Sequence, residues 1–350
     1  MANTIQLKRG NAADWTAADP TLAAGEFGFE ADTGKYKIGD GSTAWSALGY
    51  FETAAAPVAW TFQGSSTGYS SASTRESFSL VSDGNAVQTG GSSTAASSSL
   101  AYGGGVMSST HAFLTGLSPT TQLIEKFPFA ADSETATSVG TLSQGYGYMS
   151  NNNTATHGYT TGNADGTAIN IDKFSTVSDG DGAVAAYLTV YRYYMSSQNS
   201  DSHGYQAGGA PFSNIIDKFP FAADGNSVDV GDISAARYQP HGMSSTENGY
   251  VAGGQISPWR TTYPARIDKF PFASDVSATY IGNLTTYKEY DGASVSSTTH
   301  GYSAGGFYTN AGNNYIASNI IEKFSFTSDG NSVDVGDMVS ANYNMAGFQI

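Results

Sequence analysis

The feature that most constrains this chain is an internal repeat that fills almost everything after about residue 60. Each copy contains a four-residue anchor that ends in phenylalanine, and successive anchors lie 45 to 54 residues apart. The anchors stand at residues 75–78, 124–127, 171–174, 216–219, 267–270 and 321–324. Repeats of this length indicate one supersecondary unit stacked many times, with the hydrophobic core lying between the copies.

Each repeat predicts four short strands: a Gly/Ser-rich segment, a His-Gly-Tyr segment, the anchor and a Val-Asp-Val segment, separated by Gly, Asn and Asp turns. Six such units predict an all-β fold with a six-bladed β-propeller over residues 56–350. The glycine doublets at 208–209, 253–254 and 305–306 resemble those of the kelch family, which implies a kelch-like propeller. Residues 60–65 and 346–350 both offer a strand that could close the ring, and the sequence leaves that choice open.

Residues 1–55 follow a different pattern, in which apolar residues alternate on either side of a short turn. The alternation of Phe27 with Phe29 and of Tyr36 with Ile38, around a turn at 32–34, predicts a hairpin with one apolar face. A segment of this size buries a poor core alone, which favours oligomerisation.

The order of motifs in this segment resembles the N-terminal domain of phage tail fibres and of the major tropism determinant family. The motifs are residues 5–10, Trp15, residues 22–30, residues 32–41 and Trp45. The resemblance implies that residues 1–55 are a small β-rich domain for virion attachment and oligomerisation, that the domain forms homotrimers, and that its partner is a tail or baseplate protein.

Charge and composition narrow the partners and the location of the chain. The formal net charge is -15 and no run is rich in Lys or Arg, so we expect neither nucleic acid nor an anionic membrane as a partner. There is no cysteine and no apolar stretch long enough to cross a membrane, so we expect no membrane insertion. We expect no cofactor. We expect the chain to be a component of the virion that is assembled in the host cytoplasm.

Three repeated polar features could be mistaken for catalytic or metal sites. His111, His157, His203 and His300 share one repeat position without a carboxylate beside them, so we expect structural hydrogen bonds to a neighbouring strand and no metal. The Asp-Lys and Glu-Lys pairs recur five times, so we expect each acid to meet a lysine of the neighbouring blade. The Asp-Gly turns lack the spacing of calcium loops, and turn chemistry accounts for them.

Binding is expected where the repeat varies, on the face that carries the second-to-third and fourth-to-first connections between strands. The connections at 255–266 and 307–320 are the long ones. They contain the candidate receptor-binding residues Trp259, Arg260, Tyr263, Phe307, Tyr308 and Tyr315, of types that favour recognition. The alternative is that these aromatic residues only pack against each other.

The sequence therefore predicts a phage tail fibre or appendage protein, without enzymatic activity, that binds a host-surface glycan or protein through one propeller face. One alternative is a purely structural tail component that contacts other virion proteins. The other is a glycan-degrading enzyme, which requires a unique pair of carboxylates that does not stand out from the repeat.

Overall fold

The computed structural model describes residues 8–50, 61–71, 74–91, 104–116, 121–130, 135–145, 147–162, 169–256, 265–288, 292–309 and 314–350. The chain divides into two compact units, Met1–Ala59 and Trp60–Ile350. Trp259, Arg260 and Tyr263 lie outside the described residues, as does the side chain of Tyr315. No helix among the described residues is both long enough and apolar enough to span a membrane.

The N-terminal unit consists of one short helix and a three-stranded sheet. Strand β1 (Lys8–Gly10) runs parallel to β2 (Phe27–Glu30), helix α1 (Ala12–Ala18) lies between them in sequence, and β2 forms an antiparallel hairpin with β3 (Tyr36–Ile38). The predicted hairpin is confirmed, with Phe27 opposite Ile38 and Phe29 opposite Tyr36.

The hairpin buries the face opposite to its apolar side chains. Gly28, Glu30 and Lys37 are buried, whereas Phe27 is 40% exposed and its ring lies 6.0 Å from that of Tyr36. Gly28 has to be glycine because a Cβ there would come within 2.4 Å of the Trp45 ring.

The core of this unit is small and mostly aromatic. Trp15 and Trp45 stack with their ring centroids 4.3 Å apart, and Leu22 completes the buried cluster. The buried ammonium of Lys37 donates to the Trp45 carbonyl at 2.7 Å and lies 4.4 Å from the centroid of the Tyr50 ring. Among residues 8–50, this core leaves the apolar hairpin face half-buried or exposed.

The second unit contains six antiparallel sheets, which we number as blades 1 to 6 in chain order. Blade 1 begins with β4 (Thr67–Ser71), β5 (Thr74–Ser79) and β6 (Val87–Gly91). Blade 2 consists of β7 (Gly104–Met107), β8 (His111–Thr115), β9 (Leu123–Pro128) and β10 (Thr137–Thr141). Blade 3 consists of β11 (Ser150–Asn153), β12 (His157–Thr161), β13 (Asn170–Ser175) and β14 (Ala183–Tyr187).

Blades 4 to 6 keep this plan and add short strands in their connections. Blade 4 consists of β15 (Ser196–Asn199), β16 (His203–Ala207), β17 (Ser213–Pro220) and β18 (Val228–Tyr238). Blade 5 consists of β19 (His241–Ser244), β20 (Asn248–Ala252), β22 (Arg266–Pro271) and β23 (Thr279–Asn283), while β21 (Gln255–Ile256) pairs with β18 of blade 4. Blade 6 consists of β24 (Ala293–Ser296), β25 (His300–Ala304), β28 (Ile320–Ser325) and β29 (Val333–Asp337), with a hairpin of β26 (Phe307–Thr309) and β27 (Tyr315–Ala317) between its second and third strands.

The C-terminal strand β30 (Ala346–Gln349) closes the ring by pairing with β4 as the innermost strand of blade 1. The innermost strands of the six blades contact one another in a closed cycle. The predicted all-β propeller is therefore confirmed, and the C-terminus supplies the closing strand. The kelch-like character of the repeats stays a prediction.

Aromatic pairs fill the spaces between blades and explain the Tyr and Phe of the repeat. Tyr205 of blade 4 packs on Phe272 of blade 5 with centroids 4.8 Å apart, and Tyr250 of blade 5 packs on Phe326 of blade 6 at 4.6 Å. The same contact recurs between Tyr69 and Phe129. Each repeat thus contributes half of two interfaces, which is why no single blade can bury its core alone.

The lysines of the repeat do bridge neighbouring blades, but their partner is a different acid from the predicted one. Each lysine pairs with the turn aspartate that lies between the third and fourth strands of the next blade. The pairs are Lys126–Asp179, Lys173–Asp224, Lys218–Asp275, Lys269–Asp329 and Lys323–Asp83, with N–O distances of 2.5–2.9 Å in the first four. We call this set the lysine ladder. Its aspartates are about half exposed, so each pair contributes little to stability.

The four repeated histidines lie on the same face as the lysine ladder, at the start of each second strand. Each Nδ1 pairs with the hydroxyl of the preceding residue, as in the 2.8 Å contact between Ser202 and His203. The predicted bond to a neighbouring strand is therefore wrong for these four, because the preceding hydroxyl is closer. His241, which lies outside this repeat position, is buried, accepts the Gly292 N–H at 3.3 Å and pairs with Ser303 at 3.0 Å.

Candidate functional site

The connections from the fourth strand of one blade to the first strand of the next carry an unusual backbone conformation. Tyr148, Tyr194, Gln239 and Asn344 each precede an inner strand by two residues and have φ values of 52–61°. Asparagine tolerates this left-handed region, whereas tyrosine rarely adopts it. A bulky residue kept in such a conformation costs about 1 kcal/mol or more and marks a candidate functional position.

Backbone hydrogen bonds join these connections into an arc around the end of the propeller axis. The Tyr194 N–H donates to the Tyr148 carbonyl at 2.9 Å, and the Gln239 N–H donates to the Tyr194 carbonyl at 3.0 Å. Glycine at the second position of each doublet lets the connection approach, since a Cβ on Gly209 would come within 2.8 Å of the Tyr193 carbonyl oxygen. The arc is therefore fixed by main-chain contacts and does not depend on the tyrosine rings.

A buried carboxylate of the next blade holds each connection from below. Asp217 accepts the Thr189 N–H at 3.1 Å and the Thr189 hydroxyl at 2.5 Å, and it pairs with the Arg192 guanidinium at 2.7 Å, with both charged groups almost fully buried. Asp268 repeats this arrangement, accepting from Ser234 at 2.9 Å and pairing with Arg237 at 2.5 Å. These acids belong to the repeated Asp-Lys pairs, so they are structural supports of the connections.

The third buried pair, Lys288–Glu322, occupies the equivalent place between blades 5 and 6, at 3.1 Å. Burial lowers the pKa of Lys288, against the attraction of Glu322. Burial acts to raise the pKa of Glu322, but the Lys288 charge and hydrogen bonds from Ser332 and Thr285 bring it below its ordinary value. We regard the pair as ionised, because the opposite charge and further hydrogen bonds to each group offset the cost of burial.

On this support, aromatic side chains of three successive fourth-to-first connections gather into one surface with Phe212, which lies between β16 and β17. We define the tyrosine surface as Tyr148, Tyr193, Tyr194, Phe212 and Tyr238, all half-buried. Ring centroids lie 4.2 Å apart for Tyr148 and Tyr194, 5.4 Å for Tyr193 and Tyr194, and 5.3 Å for Tyr194 and Tyr238. Together with Ala210 and Pro211, these residues line a cleft of about 470 Å³.

The second cavity is the axial channel, lined by the inner strands of all six blades, with a volume of about 140 Å³. Tyr148 belongs to both the cleft and the channel, so the two cavities are adjacent. No described residue that lines either cavity is Asp, Glu, Lys, Arg or His. Aromatic rings beside serine and asparagine side chains can stack a ligand and donate or accept hydrogen bonds.

The first described residues of the propeller unit plug the far end of this channel. Phe62 is buried there and accepts a hydrogen bond from the side chain of Gln349 at 2.5 Å. The Gln63 amide reaches the carbonyl of Ser297 at 2.9 Å and that of Ser244 at 3.3 Å. The chain therefore enters the propeller at the face opposite to the tyrosine surface.

Of the sequence-predicted site residues, those on the β26–β27 hairpin are the ones that the structure describes. Phe307 is 8% exposed, and its ring packs 5.3 Å from that of Tyr343, in the connection from blade 6 to blade 1. Tyr308 is half-buried on β26. None of the described candidates lines the cleft or the channel, and all six stay predicted contacts.

Sequence reasoning missed the tyrosine surface, although a signal was present. The run Tyr191-Arg192-Tyr193-Tyr194 occupies a fourth-to-first connection on the predicted binding face, where the equivalent connection from blade 6 has Asn344. Comparing repeat copies position by position would have singled out this run. The connections at 255–266 and 307–320 differ from the repeat in length, which is easier to see in a sequence than a change of residue type at a fixed length.

Among the described residues, no group of three or more His, Asp or Glu side chains is placed to hold a metal ion. The turn aspartates that resemble calcium loops are engaged by the lysine ladder. The buried acids of the anchors are engaged by backbone N–H groups and by the buried Arg and Lys side chains.

Comparison with known proteins identifies the N-terminal segment. Residues 5–43 match the major tropism determinant N-terminal domain. A protein named hyaluronoglucosaminidase from Streptococcus pyogenes phage H10403 is 48% identical over 46 residues, which cover 13% of this chain and 14% of the relative. One of the same name from Streptococcus pyogenes phage H4489A is 48% identical over 46 residues, covering 13% of this chain and 12% of that relative. These matches lie in the N-terminal segment, and they support a phage tail protein.

The propeller has likenesses among solved structures. The structure of YjhT superposes with a TM-score of 0.58 at 10% sequence identity, covering 70% of this chain and 86% of that chain. At this identity the likeness shows the fold alone, and it agrees with the propeller topology.

The prediction that the chain has no enzymatic activity is contradicted by these comparisons. The two curated phage relatives are named for a glycosidase, hyaluronoglucosaminidase. The absence of a unique carboxylate pair in the repeat was too weak a basis for that prediction, because catalytic groups need not follow the repeat.

Proposed function

We propose that this phage tail protein binds a receptor on the host cell through the tyrosine surface, while its N-terminal unit attaches it to the virion. The observation that carries the proposal is the left-handed conformation of Tyr148 and Tyr194 at positions where a sister connection has asparagine. Asparagine adopts this backbone with less strain, so the tyrosines have to contribute something that asparagine lacks, and the aromatic surface of their rings is that difference.

Two features of the propeller support this role. The aromatic side chains are grouped in one cleft, and clustered tyrosines supply rigid contact area with polar tips. The residues through which the chain enters the propeller lie at the opposite end of the axial channel. The tyrosine surface is thus on the propeller face opposite to Phe62 and Gln63.

The N-terminal unit supports attachment and oligomerisation by a separate route. The hairpin presents Phe27, Phe29, Tyr36 and Ile38 on one face, which is not buried within the described part of the chain. An apolar face of this kind suits contact with a tail or baseplate protein or with two further copies in a homotrimer. Three propellers on one stalk would strengthen weak binding through effective concentration.

The test is binding of the purified full-length chain to candidate host cells. A Tyr193→Ala/Tyr238→Ala variant should lose most cell binding, because both side chains line the cleft. The matched control is Lys218→Ala/Lys269→Ala in the lysine ladder on the opposite face, which should bind like wild type. If wild type ignores every candidate host and binds only tail proteins, the structural alternative replaces this proposal.

A second candidate function is hydrolysis of a surface polysaccharide, which the names of the two phage relatives favour. On this account the same cleft holds the polysaccharide chain. Release of new reducing ends from host polysaccharide, measured with the purified chain and with the Tyr193→Ala/Tyr238→Ala variant, tests it directly.

A further inference from the structure

The chemistry of the tyrosine surface restricts its ligand further than receptor binding requires, and this step rests on the function proposed above. The described residues that line the cleft are four tyrosines, Phe212, Ala210 and Pro211. Their rings are not coplanar: Tyr193 and Tyr194 are inclined at 42°, and Tyr194 and Tyr238 at 86°. The cleft is therefore faceted, with ring faces turned in several directions.

A faceted aromatic cleft suits a ligand that has apolar faces and hydroxyl edges in alternation. A pyranose ring has this form, since its C–H groups pack on an aromatic face while its hydroxyls reach the phenol groups. The adjacent channel offers serine side chains, of which Ser197 and Ser294 are half-buried examples. A saccharide that extends from the cleft toward the axis would thus meet stacking surfaces first and hydrogen-bonding groups next.

The charges of the described residues around the cleft disfavour a strongly anionic ligand. The two arginines in its connections, Arg192 and Arg237, are at most 1% exposed and are neutralised by Asp217 and Asp268. No described cleft residue offers a cation, and the whole chain carries a net charge of -15. An anionic sugar would lose hydration without gaining a counter-charge, and long-range repulsion would slow its approach.

We infer that the tyrosine surface binds a neutral saccharide of the host surface, without carboxylate, sulfate or phosphate groups. Recognition rests on stacking against Tyr148, Tyr193 and Tyr238, with hydrogen bonds from the phenol groups and the channel serines. Such binding is insensitive to salt, because no ion pair forms with the ligand.

The test uses polysaccharide extracted from cells that the chain binds, separated by anion exchange into a neutral and an acidic fraction. Titration of each fraction into the full-length protein should show binding of the neutral fraction alone, unchanged by added salt. The Tyr193→Ala/Tyr238→Ala variant should bind it about tenfold more weakly or worse, and Lys218→Ala should bind it like wild type.

Treated cells separate this inference from the function on which it rests. Periodate, which cleaves sugar diols, should abolish cell binding, and protease treatment of the cells should leave it intact. Binding that survives periodate but not protease, or tighter binding of the acidic fraction, would overturn the saccharide inference while leaving receptor binding in place. Absence of binding to any untreated cells would instead overturn the proposed function itself.

Discussion

On the face where the chain enters the propeller, one interaction recurs almost unchanged from blade to blade, whereas the connections on the opposite face differ. The lysine ladder has five pairs of the same geometry, and four histidines repeat the same contact with a neighbouring hydroxyl. On the tyrosine face, the same left-handed position holds tyrosine, glutamine or asparagine. Repetition thus marks what the fold needs, and departure from it marks the surface to which we assign the proposed function.

Removing the buried Arg237–Asp268 pair beneath the tyrosine face should have the largest effect on stability. Arg237→Ala should lower the free energy of unfolding by about 3–5 kcal/mol, because it leaves Asp268 buried without its counter-charge. Urea denaturation of the full-length chain measures this. A loss below about 1 kcal/mol would mean that Asp268 becomes protonated or solvated at little cost, and the support would not explain the rigidity of the connection.

The second-largest effect on stability should come from Gly209, which lets the connection that contains Tyr193 approach closely. Gly209→Ala places a Cβ near the Tyr193 carbonyl at a φ of 109°, so it should cost roughly 2 kcal/mol and disturb the cleft. The control is Gly182→Ala, whose Cβ would make only ordinary contacts from 3.4 Å and should change stability by less than about 1 kcal/mol. Equal effects in the two variants would show that close approach is not what requires Gly209.

Exchanging residues at the left-handed position tests the comparison itself. Asn344→Tyr should destabilise the propeller by about 1 kcal/mol, since tyrosine tolerates this backbone poorly. The reciprocal Tyr194→Asn should leave stability within about 1 kcal/mol of wild type, because relief of strain offsets the lost ring contacts. Thermal unfolding of both variants measures the two changes in stability. If Tyr194→Asn is strongly destabilised, the role of Tyr194 is packing.

Much of the fold could be predicted because its signals recur within the sequence. The anchors, the second strands and the turn residues appear six times, and spacing alone separates the blades. The closing strand could not be chosen, since both termini offered a suitable segment and pairing depends on the finished ring. The tyrosine surface was missed for a related reason: Tyr148, Tyr194 and Tyr238 lie far apart in sequence and meet only when neighbouring connections are hydrogen-bonded.

The hairpin of the N-terminal unit shows another limit of pattern reasoning. The alternation of Phe27 and Phe29 with Tyr36 and Ile38 located the strands correctly, but it does not show which face of the hairpin is buried. Trp15 and Trp45 occupy the space over Gly28, so the glycine face is the buried one. Periodicity gives the two faces of a strand, and only packing decides which is inside.

The lysine ladder should give a small effect despite its regularity. Lys218→Ala should cost at most about 0.5 kcal/mol, because its partner Asp275 is 56% exposed. Chemical denaturation of Lys218→Ala and Arg237→Ala side by side compares the loss of stability on the two faces. A cost comparable with that of Arg237→Ala would mean that the ladder, rather than the buried supports, holds the blades together.

The repeated histidines should give the smallest effect. Burial, followed by the charge of a nearby lysine, lowers the pKa of His111, His157, His203 and His300. Because the folded protein binds protons at these histidines less readily than the unfolded chain, acid favours unfolding. The free energy of unfolding is therefore unaffected above about pH 6.5, the pKa in the unfolded chain, and it decreases as the pH falls below that value. Thermal unfolding between pH 7.5 and pH 5.5 should show a decline that is reduced when all four are replaced by Asn, and an unchanged slope would contradict the assignment.

The most direct test of the account is cell binding by a Tyr148→Asn/Tyr194→Asn variant whose folding has been verified by thermal unfolding. We expect this variant to have near wild-type stability and to bind host cells no longer, because asparagine adopts the left-handed backbone but lacks the aromatic ring. A variant that folds normally and binds cells like wild type would contradict the claim that these tyrosines are present for recognition.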